Sequence, residues 1–220
     1  MNVKTPKKIR ALVIGHTGAT GKALLDALIA SPECESIVAI GRRESQVHKG
    51  SPKLTQIVLA DMKSIASLDP ALAQQANAAF CCIGTPFNDV FFKKDDAFRA
   101  VDFVIATEFA KYAKAAGADF FATITGEGTD PDSKMNMTRV KGEVEVLVRS
   151  LRFSRVAFLR PGFLNRGRDA GWLEKIMSLG GILGLPVSQL ARAMAWAALH
   201  QKEAEAGYTT KDVKRVAPNP

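Results

Sequence analysis

Apolar positions along this chain alternate between two rhythms. Arg10-Ala11-Leu12-Val13-Ile14-Gly15 is a short, nearly unbroken apolar run stopped by glycine, the pattern of a strand buried on both faces of a parallel sheet. Over residues 21–29 the spacing turns helical, with Ala23, Leu24, Ala27 and Leu28 on one face. Ser31-Pro32 ends that helix, because proline has no N–H to give and crowds the preceding turn. The exchange then repeats. Strands are predicted at residues 36–40, 56–60, 78–83, 120–124 and 154–159. Helical stretches are predicted near residues 65–75, over 97–116 with Gly117 as the stop, over 136–151 and over 187–199.

So regular an alternation specifies an α/β protein: a Rossmann-like, doubly wound parallel sheet with helices on both faces. The chain carries no internal repeat and no Pro/Gly/Ser-rich linker, so residues 1–220 read as a single NAD(P)-binding domain. The segment 163–200 is less regular, with Gly180-Gly181 and Gly184 inside an apolar stretch, and is expected to contribute to the substrate side. Residues 217–220 read as a frayed end.

Composition narrows the class. With 47% hydrophobic and 24% charged residues the chain is neither disordered nor fibrous, and no apolar run reaches the length of a membrane span. The basic start runs directly into the first strand without the pattern of a signal peptide. Three cysteines cannot all pair, and the adjacent Cys81 and Cys82 point to opposite faces of a strand, so they read as reduced thiols of a cytoplasmic protein. Thirty Lys+Arg against 22 Asp+Glu gives a net charge of +8, which suits either nucleic acid or an anionic small ligand. The basic residues are scattered and no aromatics interleave with them, which favours the small ligand.

The chemistry begins where the first strand ends. Gly15-His16-Thr17-Gly18-Ala19-Thr20-Gly21 opens the first helix, and this strand–turn–helix context gives the glycine spacing its meaning. The first glycine permits the tight turn, the second lets backbone approach a pyrophosphate, and the third lets the helix pack close to the sheet. Free N–H groups and the positive end of the helix dipole then face the phosphates. Thr17 and Thr20 either donate to phosphate or cap the helix. His16 reads as a loop side chain without a catalytic part.

An NAD site usually carries an acid at the end of the second strand, for the ribose 2′-hydroxyl. This chain has Gly41-Arg42-Arg43, and guanidinium groups offer a 2′-phosphate a charge-assisted fork of donors. NADP(H) is therefore the expected cofactor. Asp61, closing the third strand, is placed for the adenine edge, and Ile83-Gly84-Thr85, closing the fourth, for the pyrophosphate and ribose.

These residues resemble the atypical short-chain dehydrogenase/reductases, and within them the small oxidoreductase-like branch related to the HIV Tat-interacting protein of 30 kDa. The matches are Gly15 to Gly21, Gly41-Arg42-Arg43, Phe80-Cys81-Cys82-Ile83-Gly84-Thr85, Val140-Lys141-Gly142-Glu143-Val144-Glu145 and Phe158-Leu159-Arg160-Pro161-Gly162. The resemblance implies NADPH as ligand, with Pro161, Gly162, Phe163 and Leu164 near its nicotinamide. It also implies a catalytic trio: Ser or Thr after the fifth strand, then Tyr and Lys four apart on one helix face. In such a trio the lysine holds the ribose and lowers the tyrosine pKa, and the tyrosine passes a proton as hydride moves.

Lys141 matches the lysine, but Met137 stands at the tyrosine position, and a thioether has no proton to give. Either Thr125 or Gly126 falls at the serine position. The two tyrosines of the chain, Tyr112 and Tyr208, are not spaced to replace the missing one. Two expectations stay open. One is a weak or atypical NADP-dependent oxidoreductase acting on a small-molecule substrate, its proton coming from solvent or from Glu127, Arg166 or Arg168. The other is an inert NADPH-sensing regulatory or scaffold module that binds other proteins.

Overall fold

The computed structural model describes residues 8–85, 95–165 and 184–218. Its sheet has seven parallel strands: β1 (Ile9–Ile14), β2 (Cys34–Gly41), β3 (Leu54–Val58), β4 (Ala78–Cys81), β5 (Phe120–Ile124), β6 (Arg155–Arg160) and β9 (Glu205–Thr209), in the order β3-β2-β1-β4-β5-β6-β9. Two further short strands, β7 (Leu164–Asn165) and β8 (Leu185–Pro186), pair only with each other. The chain winds outward from β1 in both directions, so the carboxyl ends of β1 and β4 flank the crevice where the strand order reverses. Ligands of open α/β sheets bind in such a crevice.

Side-chain alternation builds two cores. Ile9, Ala11 and Val13 of β1, Phe80 of β4, Phe120 and Ala122 of β5 and Leu159 of β6 face one side. There they meet Leu24, Leu25 and Leu28 of α1 (Ala19–Ala30) and Leu190, Met194 and Ala197 of α5 (Val187–His200). Leu12 and Ile14 of β1, Phe121 of β5 and Phe158 of β6 face the other. They pack on Phe109 and Ala113 of α3 (Ala106–Ala115) and Val144 and Val148 of α4 (Asn136–Ser150). A period of two along each strand thus feeds both layers.

The predicted architecture is borne out, and its details differ in three places. The predicted helix over 97–116 is three consecutive segments: α2 (Asp95–Arg99), a π-helical turn (Ala100–Ile105) and α3. The stretch near 65–75 is two short 3₁₀ helices, Met62–Ser67 and Pro70–Ala73, started by Asp61 and Asp69 side chains that accept from Lys63 and Ala71 N–H groups. Residues 205–216, for which the pattern predicts no element, carry β9 and α6 (Thr210–Val216), the latter begun by a Thr209–Asp212 capping box.

What anchors β9 is a buried cation. The Arg155 guanidinium, 1% exposed, donates to the carbonyls of Ala198 at 2.9 Å and Gln201 at 3.2 Å, closing the C-terminal end of α5. Gln201 in turn donates to the Val156 carbonyl and accepts from the Tyr208 hydroxyl of β9 at 3.1 Å. Of the segment 163–200, residues 166–183 lie outside the described residues, including Arg166, Arg168 and Gly180-Gly181. Val187–His200 is committed to the core against α1.

Candidate functional site: the crevice at the carboxyl ends of β1 and β4

Backbone meets backbone closely at the mouth of this crevice. Gly15 has φ +77°, in the left-handed region, and a Cβ there would lie 2.7 Å from the carbonyl carbon and oxygen of Cys82. At Gly21 a Cβ would overlap the Gly15 carbonyl, which is why the first turn of α1 can sit directly on the loop. Gly18 occupies the N-cap of α1 without any side-chain capping bond, and the first turn holds no acidic residue. The helix start therefore keeps N–H groups and a positive dipole end for an anion, and the glycine cradle fits a dinucleotide pyrophosphate. Thr17 lies half-buried beside it, and Thr20 is buried under the helix start.

His16 has a larger part than its sequence position suggested. Its ring is 1% exposed and wedges between the glycine loop and the end of β2, with Nδ1 3.3 Å from the Ile40 carbonyl and Nε2 3.1 Å from the Arg43 carbonyl. Gly41 is glycine for the same reason: a Cβ would come within 2.6 Å of the imidazole. Burial pushes the His16 pKa down despite the two carbonyls that favour the cation. Arg42 and Arg43 are exposed just beyond it, and neither forms an ion pair with a described residue. Asp61 is exposed at the end of β3 and spends one carboxylate oxygen on capping the 3₁₀ helix, 2.9 Å from the Lys63 N–H.

At the other end of the crevice a charged cluster joins three elements. Lys141 of α4 lies 2.7 Å from Asp102 and donates toward the Ile124 carbonyl at 3.4 Å, at the tip of β5. The second Asp102 oxygen accepts from the Thr85 N–H at 2.9 Å and from its hydroxyl at 2.5 Å. The Asp102 side chain is 1% exposed and that of Lys141 13%. Asp102 stands in the π-helical turn, a local rearrangement common at functional sites. Ile83 and Gly84 lead from β4 to Thr85, and Pro161, Gly162 and Phe163 follow β6 on the same edge of the sheet. Phe163 is 49% exposed, and the Gly162 N–H donates to the Thr210 hydroxyl at 3.0 Å.

Met137 sits one helical turn before Lys141, half-buried. The Thr125 hydroxyl donates to Glu145 at 2.8 Å. Glu145, 3% exposed, also accepts from Arg160 Nε at 2.9 Å and from Arg149 at 3.0 Å, and Arg149 grips Glu205 of β9 with two nitrogens. This ion network raises the pKa of both arginines and lowers that of Glu205, chiefly through the hydrogen bonds across each pair. Both tyrosine hydroxyls are spent elsewhere: Tyr112 donates to the Asp69 carbonyl and Tyr208 to Gln201. Glu127, another proposed proton source, is exposed, and its carboxylate lies 3.3 Å from where a Gly162 Cβ would stand.

Sequence reasoning missed Asp102 and Glu145. Asp102 is a lone carboxylate within the apolar run Val101-Asp102-Phe103-Val104-Ile105, and Glu145 is flanked by valines in Val144-Glu145-Val146. That pattern was the available signal, because carboxylates are rarely buried unless paired. Among the described residues no group of three or more His, Cys, Asp or Glu is arranged to hold a metal ion.

Fold and crevice together define a Rossmann protein of the short-chain dehydrogenase type. The chain belongs to the NAD dependent epimerase/dehydratase family, whose model matches residues 11–139. It is 29% identical over 192 residues to Protein HTATIP2 of Rattus norvegicus, covering 83% of this chain and 78% of that protein. To the mitochondrial protein fmp52 of Emericella nidulans it is 33% identical over 159 residues, 71% of this chain and 67% of that one. The resemblance to the Tat-interacting branch of the atypical dehydrogenases is thereby borne out. Among solved structures, the UDP-glucuronic acid 4-epimerase from Bacillus cereus in complex with NAD superposes with a TM-score of 0.69 at 15% identity, over 91% of this chain and 78% of that one. MoeE5 in complex with UDP-glucose and NAD gives 0.70 at 16%, over 91% and 75%. These likenesses show the fold.

Proposed function

We propose that this protein binds a nicotinamide dinucleotide in the crevice, that the dinucleotide is NADP(H), and that it acts as an atypical oxidoreductase without the family's usual proton donor. The observation that carries the cofactor reading is the pairing of a helix start without a side-chain cap with two exposed arginines that form no ion pair with a described residue, the second tied through its carbonyl to His16 of the glycine loop. In this reading Gly15, Thr17, Gly18, Ala19, Thr20 and Gly21 receive the pyrophosphate, and Arg42 and Arg43 take the 2′-phosphate. Asp61 meets the adenine side, while Ile83, Gly84 and Thr85 flank the ribose and pyrophosphate. Lys141 holds the nicotinamide ribose beside Pro161, Gly162 and Phe163. When bound, the cofactor supplies or accepts hydride. The exposed Phe163 then faces an unidentified small-molecule substrate.

A second reading is favoured by one specific arrangement. With Met137 at the tyrosine position and the Thr125 hydroxyl donated to Glu145, neither proton-handling group of the trio is free. An inert module that reports NADPH to a protein partner needs only binding and two states of unequal affinity. Calorimetry with NADPH, NADP, NADH and NAD on the full chain tests the cofactor, and equal affinity for NADH and NADPH overturns the arginine reading. Turnover of quinones or aldehydes with NADPH then separates the oxidoreductase from the sensor. No helix among the described residues is long and apolar enough to cross a membrane. The cytoplasmic location remains a proposal beside relatives named as mitochondrial, and fractionation of the tagged full chain decides it.

A further inference from the structure

The loop after β2 holds a chain of hydrogen bonds that nothing in the crevice chemistry requires. Arg42, Arg43, Glu44, Gln46 and Val47 are exposed, yet Ser45 and His48 among them are only 4% and 8% exposed. The Ser45 hydroxyl lies 2.7 Å from His48 Nδ1, and His48 Nε2 lies 2.8 Å from Asp26 of α1. The Ser45 N–H donates to the Gln56 side-chain oxygen on β3 at 2.6 Å. Hydroxyl, imidazole and carboxylate thus stand in the order of a nucleophilic triad, but with exposure reversed. The hydroxyl is the buried end and Asp26, with 69% of its side chain exposed, the open one. No acyl group reaches such a serine, so the wiring has another use.

We infer that Ser45, His48 and Asp26 form a positioning relay that sets the NADP(H) over NAD(H) preference by holding the Arg42-Arg43 backbone at a fixed place relative to α1. The inference rests on the NADP(H) reading above and deepens it. Two anionic groups of the cofactor, the pyrophosphate and the 2′-phosphate, are a fixed span apart, so their two receivers must be held in register. The pyrophosphate's receiver is the start of α1. The loop is tied to that same helix by the His48–Asp26 bond, to β3 through Gln56, and to the glycine loop by His16 on the Arg43 carbonyl. Two adjacent guanidinium groups repel each other and carry long, rotamer-rich stems. A backbone already in place lowers the ordering cost of binding and leaves only the side chains to settle. NADH lacks the 2′-phosphate and makes no use of this preparation.

The test uses His48→Ala and Asp26→Ala in the full chain, with NADPH and NADH affinities measured by calorimetry. Each substitution is expected to raise the NADPH Kd about tenfold, the size of fixing about one residue's backbone on binding, and to leave the NADH Kd within about twofold of wild type. The double variant is expected to be no worse than His48→Ala, since one chain of bonds is broken in either case. Equal weakening of both nucleotides, or no change in either, overturns the relay. Asp26 is exposed, so its variant answers the question even where His48→Ala fails to fold. A wild type that binds NADH as tightly as NADPH defeats the cofactor reading. A wild type that prefers NADPH, with variants that keep the preference, defeats the relay alone.

Discussion

Replacing Asp102 by alanine is the sharpest probe of the crevice, because it strips one partner from a desolvated ion pair. The Asp102 side chain is 1% exposed and lies 2.7 Å from Lys141, itself 13% exposed. Breaking a buried pair by deleting one partner costs about 3–5 kcal/mol, most of it from the charge left behind. Lys141 retains some water and the Ile124 carbonyl at 3.4 Å, and half-exposed Thr85 can turn its two donors to solvent. The cost therefore falls near the lower end, about 3 kcal/mol. For a chain of this length each kcal/mol lowers Tm by about 2–4 °C, so the expected drop is roughly 6–12 °C. Urea unfolding of Asp102→Ala, Lys141→Met and the double variant closes a cycle. The double variant is expected to lose well under the sum of the single losses, because it removes both charges together. A loss below about 1 kcal/mol for Asp102→Ala, the range of an exposed pair, would refute the reading that the Asp102–Lys141 pair is largely desolvated.

Three further perturbations address other parts of the molecule. Met137→Tyr returns a phenol one turn before Lys141 and is expected to raise NADPH-dependent carbonyl reduction toward the lower end of the roughly 10²–10⁴ that general acid help provides, since Thr125 stays bound to Glu145. Ordinary reductase rates in the wild type would show that the proton has another source. Gly21→Ala drives a Cβ into the Gly15 carbonyl and is expected to cost about 1–3 kcal/mol in urea and to abolish thermal stabilisation by nucleotide; full retention of both contradicts the close packing. His16 has a pKa lowered by burial, so the unfolded chain binds its proton first as pH falls. The stability it contributes is complete above about pH 6.5 and is lost as pH drops below that toward the lowered folded value. His16→Gln is expected to flatten the stability difference between pH 8 and pH 5.5, and an unchanged slope assigns that loss to other groups.

The sheet was legible because it rests on local pattern. Each central strand feeds two cores, so it is apolar along most of its length, and the intervening helices carry one apolar face. Both are readable from neighbours a few positions away. Strand β9 was missed for the opposite reason. Glu205-Ala206-Gly207-Tyr208-Thr209 is neither apolar nor regularly alternating, and an edge position asks little of it. It is held by partners far along the chain: Arg149 on Glu205, and Gln201 on Tyr208. The π-helical turn is equally invisible, because Ala100–Ile105 has helical composition and only the Lys141–Asp102–Thr85 cluster gives the widened turn a purpose.

The same division runs through the candidate site. Gly15 and Gly21 were readable because a backbone that must approach closely admits only glycine, whatever surrounds it. The roles of polar side chains depend on which partner the fold brings near, and spacing alone does not tell. Thr125 stands one residue beyond β5 whether its hydroxyl serves a substrate or a carboxylate, and Glu145 takes it. Lys141 and Glu145 are four residues apart on one face of α4, and each recruits its own set of ions. The carboxylate of Asp102 holds the lysine, and Arg160 and Arg149 hold the glutamate. This face of α4 thus carries two satisfied ion clusters with a thioether a turn ahead of the first. The lysine has a buried counter-charge, Asp102, that does not depend on a tyrosine.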